Sequence, residues 1–480
     1  MPTTRKPNLE SVTSINNDGS RNFIHPADTK GKFTLGRRVF GALLLAVYIL
    51  LPWIPIGDYP AVFLDLAERR FHFFGLTFLS EDLWLGFFLL TGLGFSLFYV
   101  TALFGRLWCG WACPYTVFLE QVYRRIERLI DGDASERRKL DQAPWNGSKT
   151  AKRVVKHGIY LLISLILAHI FVSYFVSIPR LYQYMQHSPV ENAKVFGVMA
   201  FLTGALYFCF SWFREQFCII MCPYGRIQSA LTDDDTVIIG YDEKRGEPRG
   251  KKSDPNAGDC INCSRCVQVC PTGIDIRNGL QLECIGCSAC IDACNTIMEK
   301  TGRDRGLIRY DSFNGLNRLK KRIMRPRVVL YTGLLLLGVF ALLASLRGLH
   351  SSKVEIIRMT GQPYYIDEGG IRNQFRVQFV TKQNEPTHFA LNVTGLPEGA
   401  RAVGMDEEVI LQPGQEATKT LIIQVPTEIY SGEFNLTLEA AVTPGDYTLS
   451  STVDFVGPST YTLNKGNQSP TKTETPSPQP

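Results

Sequence analysis

Residues 260–271 read CINCSRCVQVCP and residues 284–295 read CIGCSACIDACN, with twelve residues between them. Each block has C-x2-C-x2-C-x3-C spacing. Three closely spaced thiolates suit one iron–sulfur cubane, and the fourth, three residues further on, is carried towards the other cluster. Two [4Fe–4S] centres with crossed ligand sets are therefore expected: Cys260, Cys263, Cys266 and Cys294 on one, and Cys284, Cys287, Cys290 and Cys270 on the other. Zinc sites need four ligands each and do not call for this triple spacing. Pro271 fits the bacterial ferredoxin pattern, whereas Asn295 departs from it at a position that is not a ligand.

The rest of the chain is uneven. Of 480 residues 45% are hydrophobic, and the net charge is +6, so the distribution of charge matters more than its sum. Five of the thirteen cysteines lie outside the two blocks and none follows residue 294, which argues against an extracellular disulfide framework.

Residues 1 to about 30 are polar and read as a flexible tail without a cleaved signal peptide. Five apolar runs, at 39–56, 83–104, 158–178, 195–213 and 328–346, are long enough to cross a hydrocarbon core of roughly 30 Å. The aromatic but charged 60–80 stretch reads as interfacial or re-entrant rather than as a span. The 105–156 loop carries eleven Lys and Arg, against two each in 57–81 and 179–194, which predicts that it is cytoplasmic. The N-terminus and the cysteine blocks then lie inside, in the reducing compartment, and everything after residue 347 lies outside. From about 350 to 458 apolar residues alternate, as in Phe375, Val377, Phe379 and Phe434, Leu436, Leu438, which predicts a β-sandwich. Residues 464–480 are rich in Pro, Ser and Thr and read as disordered.

A second cysteine set lies near the inner ends of the second and fourth spans. FGRLWCGWACPY and FREQFCIIMCPY share C-x3-C-P-Y, placing Cys109 and Cys113 in one and Cys218 and Cys222 in the other. The repetition suggests two related halves of the membrane core. A helical backbone would put each pair of thiols on one face, with Pro114 and Pro223 ending or bending the helix. Such sulfurs could bind copper(I) or another soft ion, or cycle through a disulfide. Cys209 reads as a packing residue, and His157 and His169 as packing or hydrogen-bonding residues rather than haem ligands. No catalytic residue is assigned. No G-x-G-x-x-G follows a strand-like segment and no P-loop is present. Membrane topology accounts for the basic loops without nucleic acid.

The cysteine blocks, RGLIRY at 305–310, both C-x3-C-P motifs, five spans and the terminal sandwich together resemble the CcoG family, also called FixG or RdxA. The resemblance covers residues 25 to 458. It implies a bacterial inner-membrane protein that assists maturation of the cbb-type cytochrome c oxidase by reducing copper(II) to copper(I). It implies that the C-x3-C-P cysteines handle copper, that copper-delivery proteins are partners, and that the outer domain is immunoglobulin-like.

The expected architecture is a multi-domain membrane protein: a five-helix transmembrane core, a cytoplasmic bacterial-type 2[4Fe-4S] ferredoxin module and a C-terminal immunoglobulin-like β-sandwich. Its expected parts are a flexible tail over 1–35, core helices over 36–232, the ferredoxin module over 233–326, the fifth helix over 327–347, a periplasmic domain over 348–460 and a tail over 461–480. An unidentified cytoplasmic donor would supply electrons. Two other readings stand: a quinol-linked subunit resembling NapH and NosR, or a redox-sensing assembly scaffold.

Overall fold

The computed structural model describes residue 14 and residues 21–459, apart from 58, 68, 80–81, 252, 282, 348–351, 368, 384, 406, 413–414 and 446. The tail expected at the C-terminus, and most of the one expected before residue 21, fall outside these residues. The chain forms two compact units, Met1–Ser345 and Leu346–Pro480.

Among the described residues five helices are long and apolar enough to cross a membrane: Lys32–Trp53, Leu83–Phe104, Gly147–Val172, Ala193–Phe213 and Pro326–Leu346. All five overlap the expected runs, although the first and third begin earlier, through basic stretches at Lys32–Arg38 and Lys149–Lys156. The 60–80 stretch is not a span. It forms a three-stranded antiparallel sheet of Val62–Asp65, Arg70–Phe73 and Leu76–Leu79, with His72 stacked on Tyr59 at 3.7 Å.

The ferredoxin portion does not separate from the membrane core. Helix Ala289–Thr301, which carries Cys290 and Cys294, lies against the start of the first membrane helix. That helix has Gly31 at its N-cap and no side chain of its own to cap it. The buried Asp292 carboxylate supplies the cap, accepting hydrogen bonds from the Thr34 amide and hydroxyl, both at 2.7 Å.

The expectation of a flexible segment over 1–35 is corrected from Arg21 onward. Arg21 is buried and pairs with Glu215 at 2.6 Å, and His25 meets Asp141 at 2.6 Å. The Ala27 amide donates to the Gln268 carbonyl and Arg265 donates to the Asp28 carbonyl, both at 2.8 Å. Composition suggested a tail because the segment has little apolar surface. It is ordered instead by ion pairs and backbone hydrogen bonds to residues more than a hundred positions away.

The second unit is a sandwich of two antiparallel sheets. One runs in the order Arg401–Val403, Glu416–Val425, Gly370–Thr381, Ser352–Arg358, with Tyr365–Asp367 also paired to Gly370–Thr381. The other runs Val409–Leu411, Thr387–Thr394, Phe434–Thr443, Tyr447–Phe455. The alternating residues face inward: Phe375, Val377, Phe379, Phe389, Leu436 and Leu438 are fully buried. Phe389→Ala is expected to cost about 3–5 kcal/mol, through lost burial and the cavity left behind. Urea unfolding followed by β-sheet circular dichroism would measure this, with iron content unchanged because the cysteine blocks belong to the other unit.

Candidate iron–sulfur and thiol site

The two cysteine blocks have matching backbones. Asn262 and Gly286 occupy the left-handed region at φ 57° and 68°, and Ser264 and Ser288 do so at φ 52° and 63°. These turns wrap the first three cysteines of each block around one cavity. Short helix Arg265–Gln268 then carries the chain to Cys270, and helix Ala289–Thr301 carries it to Cys294.

The eight cysteines gather around two cavities. One cavity of about 360 Å³ is lined by Cys260, Cys263, Cys266 and Cys294. A second, of about 340 Å³, is lined by Cys270, Cys284, Cys287 and Cys290, and Cys266 lines it as well. Among the described residues no three His, Cys, Asp or Glu side chains converge tightly enough to hold one metal ion. Four sulfurs spread around an apolar cavity suit a multi-iron group, whose corners stand apart, better than a single ion. Burial pushes the Cys266 and Cys287 thiols up to about 11, while Arg277 beside the first and Arg37 beside the second oppose the shift. Asn295 also finds its reason: its side-chain oxygen accepts the Gly306 amide at 2.9 Å, inside a helix that runs on to Thr301.

The C-x3-C-P motifs form a matched pair as well. The Cys113 amide bonds to the Trp108 carbonyl at 2.8 Å and the Cys222 amide to the Phe217 carbonyl at 2.9 Å, each five residues back. The turn is thus wider than the α-helical one expected from the spacing. Pro114 and Pro223 each open a new helix, where the missing amide costs nothing.

Upstream, Gly105 at φ 55°, ψ −126° corresponds to Arg214 at φ 46°, ψ −126°. Such a conformation costs a residue other than glycine about 1–3 kcal/mol. Arg214 is held in it by the buried Glu127, at 2.6 Å. The tyrosines cross between halves. Tyr115 donates to the Arg214 carbonyl at 2.6 Å and lies 2.9 Å from that of Cys209, while the Tyr224 hydroxyl lies 2.6 Å from that of Thr101.

The four thiols are thereby brought within electrostatic reach of one another, though no three of them converge tightly enough to form a ready-made site for one ion. Cys109 feels Cys113 and Cys222 electrostatically, and Cys218 feels Cys113, Cys109 and Cys222. Burial raises Cys109 to about 11 and raises Cys218 further, with repulsion among the sulfurs adding to both. The fully buried Gln228 amide sits 3.4 Å from the Cys109 sulfur. Sequence reasoning missed Gln228, which lies in the other half and carries no spacing signal.

The motif and the second cysteine block touch backbone to backbone. A Cβ on Gly110 would stand 2.7 Å from the Gly286 carbonyl, and one on Gly286 would stand 2.9 Å from the Arg106 oxygen. Arg37 clamps the Gly110 carbonyl at 2.7 Å, and the Trp111 indole donates to the Tyr310 hydroxyl at 3.3 Å. His157 and His169 take hydrogen-bonding roles, with Tyr207 at 2.9 Å and the Leu165 carbonyl at 2.8 Å.

Comparison with known proteins follows this geometry closely. Residues 213–313 match a 4Fe-4S dicluster domain, residues 342–458 an IG-like fold at the C-terminal of FixG, and residues 85–131 a 4Fe-4S binding domain. The nitrogen fixation protein FixG of Rhizobium meliloti (strain 1021) is 32% identical over 465 residues, 86% of this chain and 88% of that protein. The chain belongs to the FixG family. Protein RdxA of Cereibacter sphaeroides is 36% identical, covering 78% of this chain and 82% of its own, and RdxB of the same organism is 34% identical, covering 82% and 86%. The family member described here is a multi-pass iron–sulfur electron-transfer protein with a C-terminal immunoglobulin-like domain.

Buried charges beside these motifs are tied into the same framework. Glu127 is buried among Arg214, Lys156 and Arg137, which hold its carboxyl well below the usual carboxylate range although burial alone would raise it. A depressed folded pKa means that the stabilisation is present above the ordinary value near 4.5 and fades as pH falls below it. Glu127→Gln is therefore expected to cost about 3–5 kcal/mol at neutral pH by leaving buried cations unpaired. Thermal unfolding in detergent, compared between neutral pH and pH 3, should show the gap to the wild type narrowing in acid.

Proposed function

We propose that this protein reduces copper(II) to copper(I) at the cytoplasmic face of a bacterial inner membrane, in support of cbb-type cytochrome c oxidase assembly. The observation that carries this reading is the contact of Gly110, between Cys109 and Cys113, with Gly286, between Cys284 and Cys287. It sets a group of soft sulfur ligands directly against an iron–sulfur block.

In this reading Cys260, Cys263, Cys266 and Cys294 hold one [4Fe–4S] cluster, and Cys270, Cys284, Cys287 and Cys290 hold the other. Clusters bound there supply one-electron transfer. Cys109, Cys113, Cys218 and Cys222 take the copper ion as substrate. Each copper(II) gains one electron, drawn ultimately from a cytoplasmic reductant, and becomes copper(I). Thiolate sulfur favours the cuprous product. Because burial holds the Cys109 and Cys218 thiols protonated, capture of the ion by them releases protons and is favoured by rising pH. The bias of Lys and Arg places the N-terminus and clusters inside and the sandwich in the periplasm, where oxidase-assembly and copper-delivery proteins would be met.

A second reading is favoured by the match of residues 85–131 to a 4Fe-4S binding domain. Four gathered thiols could instead hold a third iron–sulfur cluster, raising the iron content from about eight to about twelve atoms per chain.

The deciding experiment uses protein purified anaerobically, reduced, freed of excess reductant and mixed with copper(II). One copper(I) chelate formed per electron removed from the protein supports copper reduction. Reoxidation by a quinone but not by copper(II) would transfer the assignment to quinol-linked electron transfer.

A further inference from the structure

A cleft of about 1430 Å³ opens beside the second cysteine block, between the 26–29 strap, the start of the first membrane helix and the helical segment 119–131. Its walls carry six arginines: Arg37, Arg38, Arg124, Arg125, Arg128 and Arg137. Only two carboxylates, Asp28 and Glu120, line the same space. The inner wall includes Val269 and Pro271, which bracket Cys270, and Ala289, which precedes Cys290.

Surface cations of a membrane protein are ordinarily solvated topology signals, and these depart from that pattern in three ways. All are arginine and none is lysine, so each offers a planar fork rather than a point charge. Arg124 is 6% exposed, yet its Nε makes no hydrogen bond, and neither does the buried Nη2 of Arg37. Among the described residues Arg38 and Arg125 pair with no carboxylate, Arg125 donates to the Gln121 side chain, and partial burial with repulsion from Arg38 and Arg128 lowers the Arg125 pKa from its ordinary value. Cations crowded together at the accessible mouth are relieved by a multivalent oxyanion.

We propose that this cleft binds a phosphate ester, carried either by a nucleotide cofactor or by the headgroup of an anionic phospholipid. The phosphate oxygens accept from the exposed Arg38, Arg125 and Arg128, in the positive field of Arg37 and Arg124 at the inner wall. The ligand then lies against the backbone on either side of Cys270. Neither source depends on what the C-x3-C-P thiols bind.

The test uses the full chain in phosphatidylcholine nanodiscs. Flavin mononucleotide is titrated by its fluorescence, with riboflavin as the phosphate-free control. In a second arm the detergent-solubilised protein is mixed with phosphatidylglycerol, and retained lipid is counted by native mass spectrometry. Flavin mononucleotide bound in preference to riboflavin, and displaced by inorganic phosphate, identifies the nucleotide source; phosphatidylglycerol retained in preference to phosphatidylcholine identifies the lipid source. In either case Arg125→Gln with Arg128→Gln should weaken binding roughly tenfold or more at unchanged iron content. Failure of both phosphate probes to bind the wild-type chain overturns the proposal, as does equal binding of riboflavin and phosphatidylcholine. The wild-type comparisons decide even if the double variant does not fold.

Discussion

Replacing Cys109, Cys113, Cys218 and Cys222 together by serine is expected to abolish copper(II) reduction while about eight irons per chain remain. The expectation follows from separation of the two sulfur sets. The block cysteines line their own cavities, and none of the four C-x3-C-P cysteines lines either one. Their loss should therefore leave the iron sites intact and remove only the soft ligands for the substrate ion. Serine keeps the size of the side chain but offers a hard oxygen in place of a polarisable sulfur, which disfavours cuprous ion in particular. Iron analysis and a copper(I)-chelate assay on the same preparation read both halves of the prediction. Retained copper reduction would remove these residues from the reaction, and a drop in iron by a third would assign them to a third cluster.

Gly110→Ala is expected to slow copper reduction on the order of a hundredfold, the scale of loss that an ångström of misplacement brings to a reacting pair, with both clusters still formed. The new Cβ would meet backbone atoms of Ile285 and Gly286 at 2.7 Å, and backbone cannot rotate aside as a side chain can. The C-x3-C-P turn and the cysteine block must then move apart. Single-turnover reoxidation of the prereduced variant by copper(II) isolates this step from cluster assembly. An unchanged rate would mean that electrons do not cross at this contact.

Much of this organisation is legible in short stretches of chain. Cys260 to Cys294 carry their ligand grouping in local spacing, because a turn of fixed geometry delivers three sulfurs to one side and the fourth to the other. The five spans follow from the length of apolar runs. The sandwich follows from alternation such as Phe375, Val377, Phe379, since a strand has only two faces. Each of these signals depends on neighbours within about twenty residues.

The remainder arises from contacts between residues far apart, on which local pattern has no purchase. A polar segment holding Arg21 and His25 reads as a tail until Glu215 and Asp141 are brought beside it. Arg214 takes a glycine-like backbone only because Glu127 waits on another helix. Gly110 and Gly286 are unremarkable in sequence, and their meeting sets the C-x3-C-P turn against the second cysteine block. Six arginines scattered from position 37 to 137 become a cleft only when the strap folds over them. Spacing along the chain thus determined which cysteines fall into local groups, and packing across it decided which of those groups stand in contact.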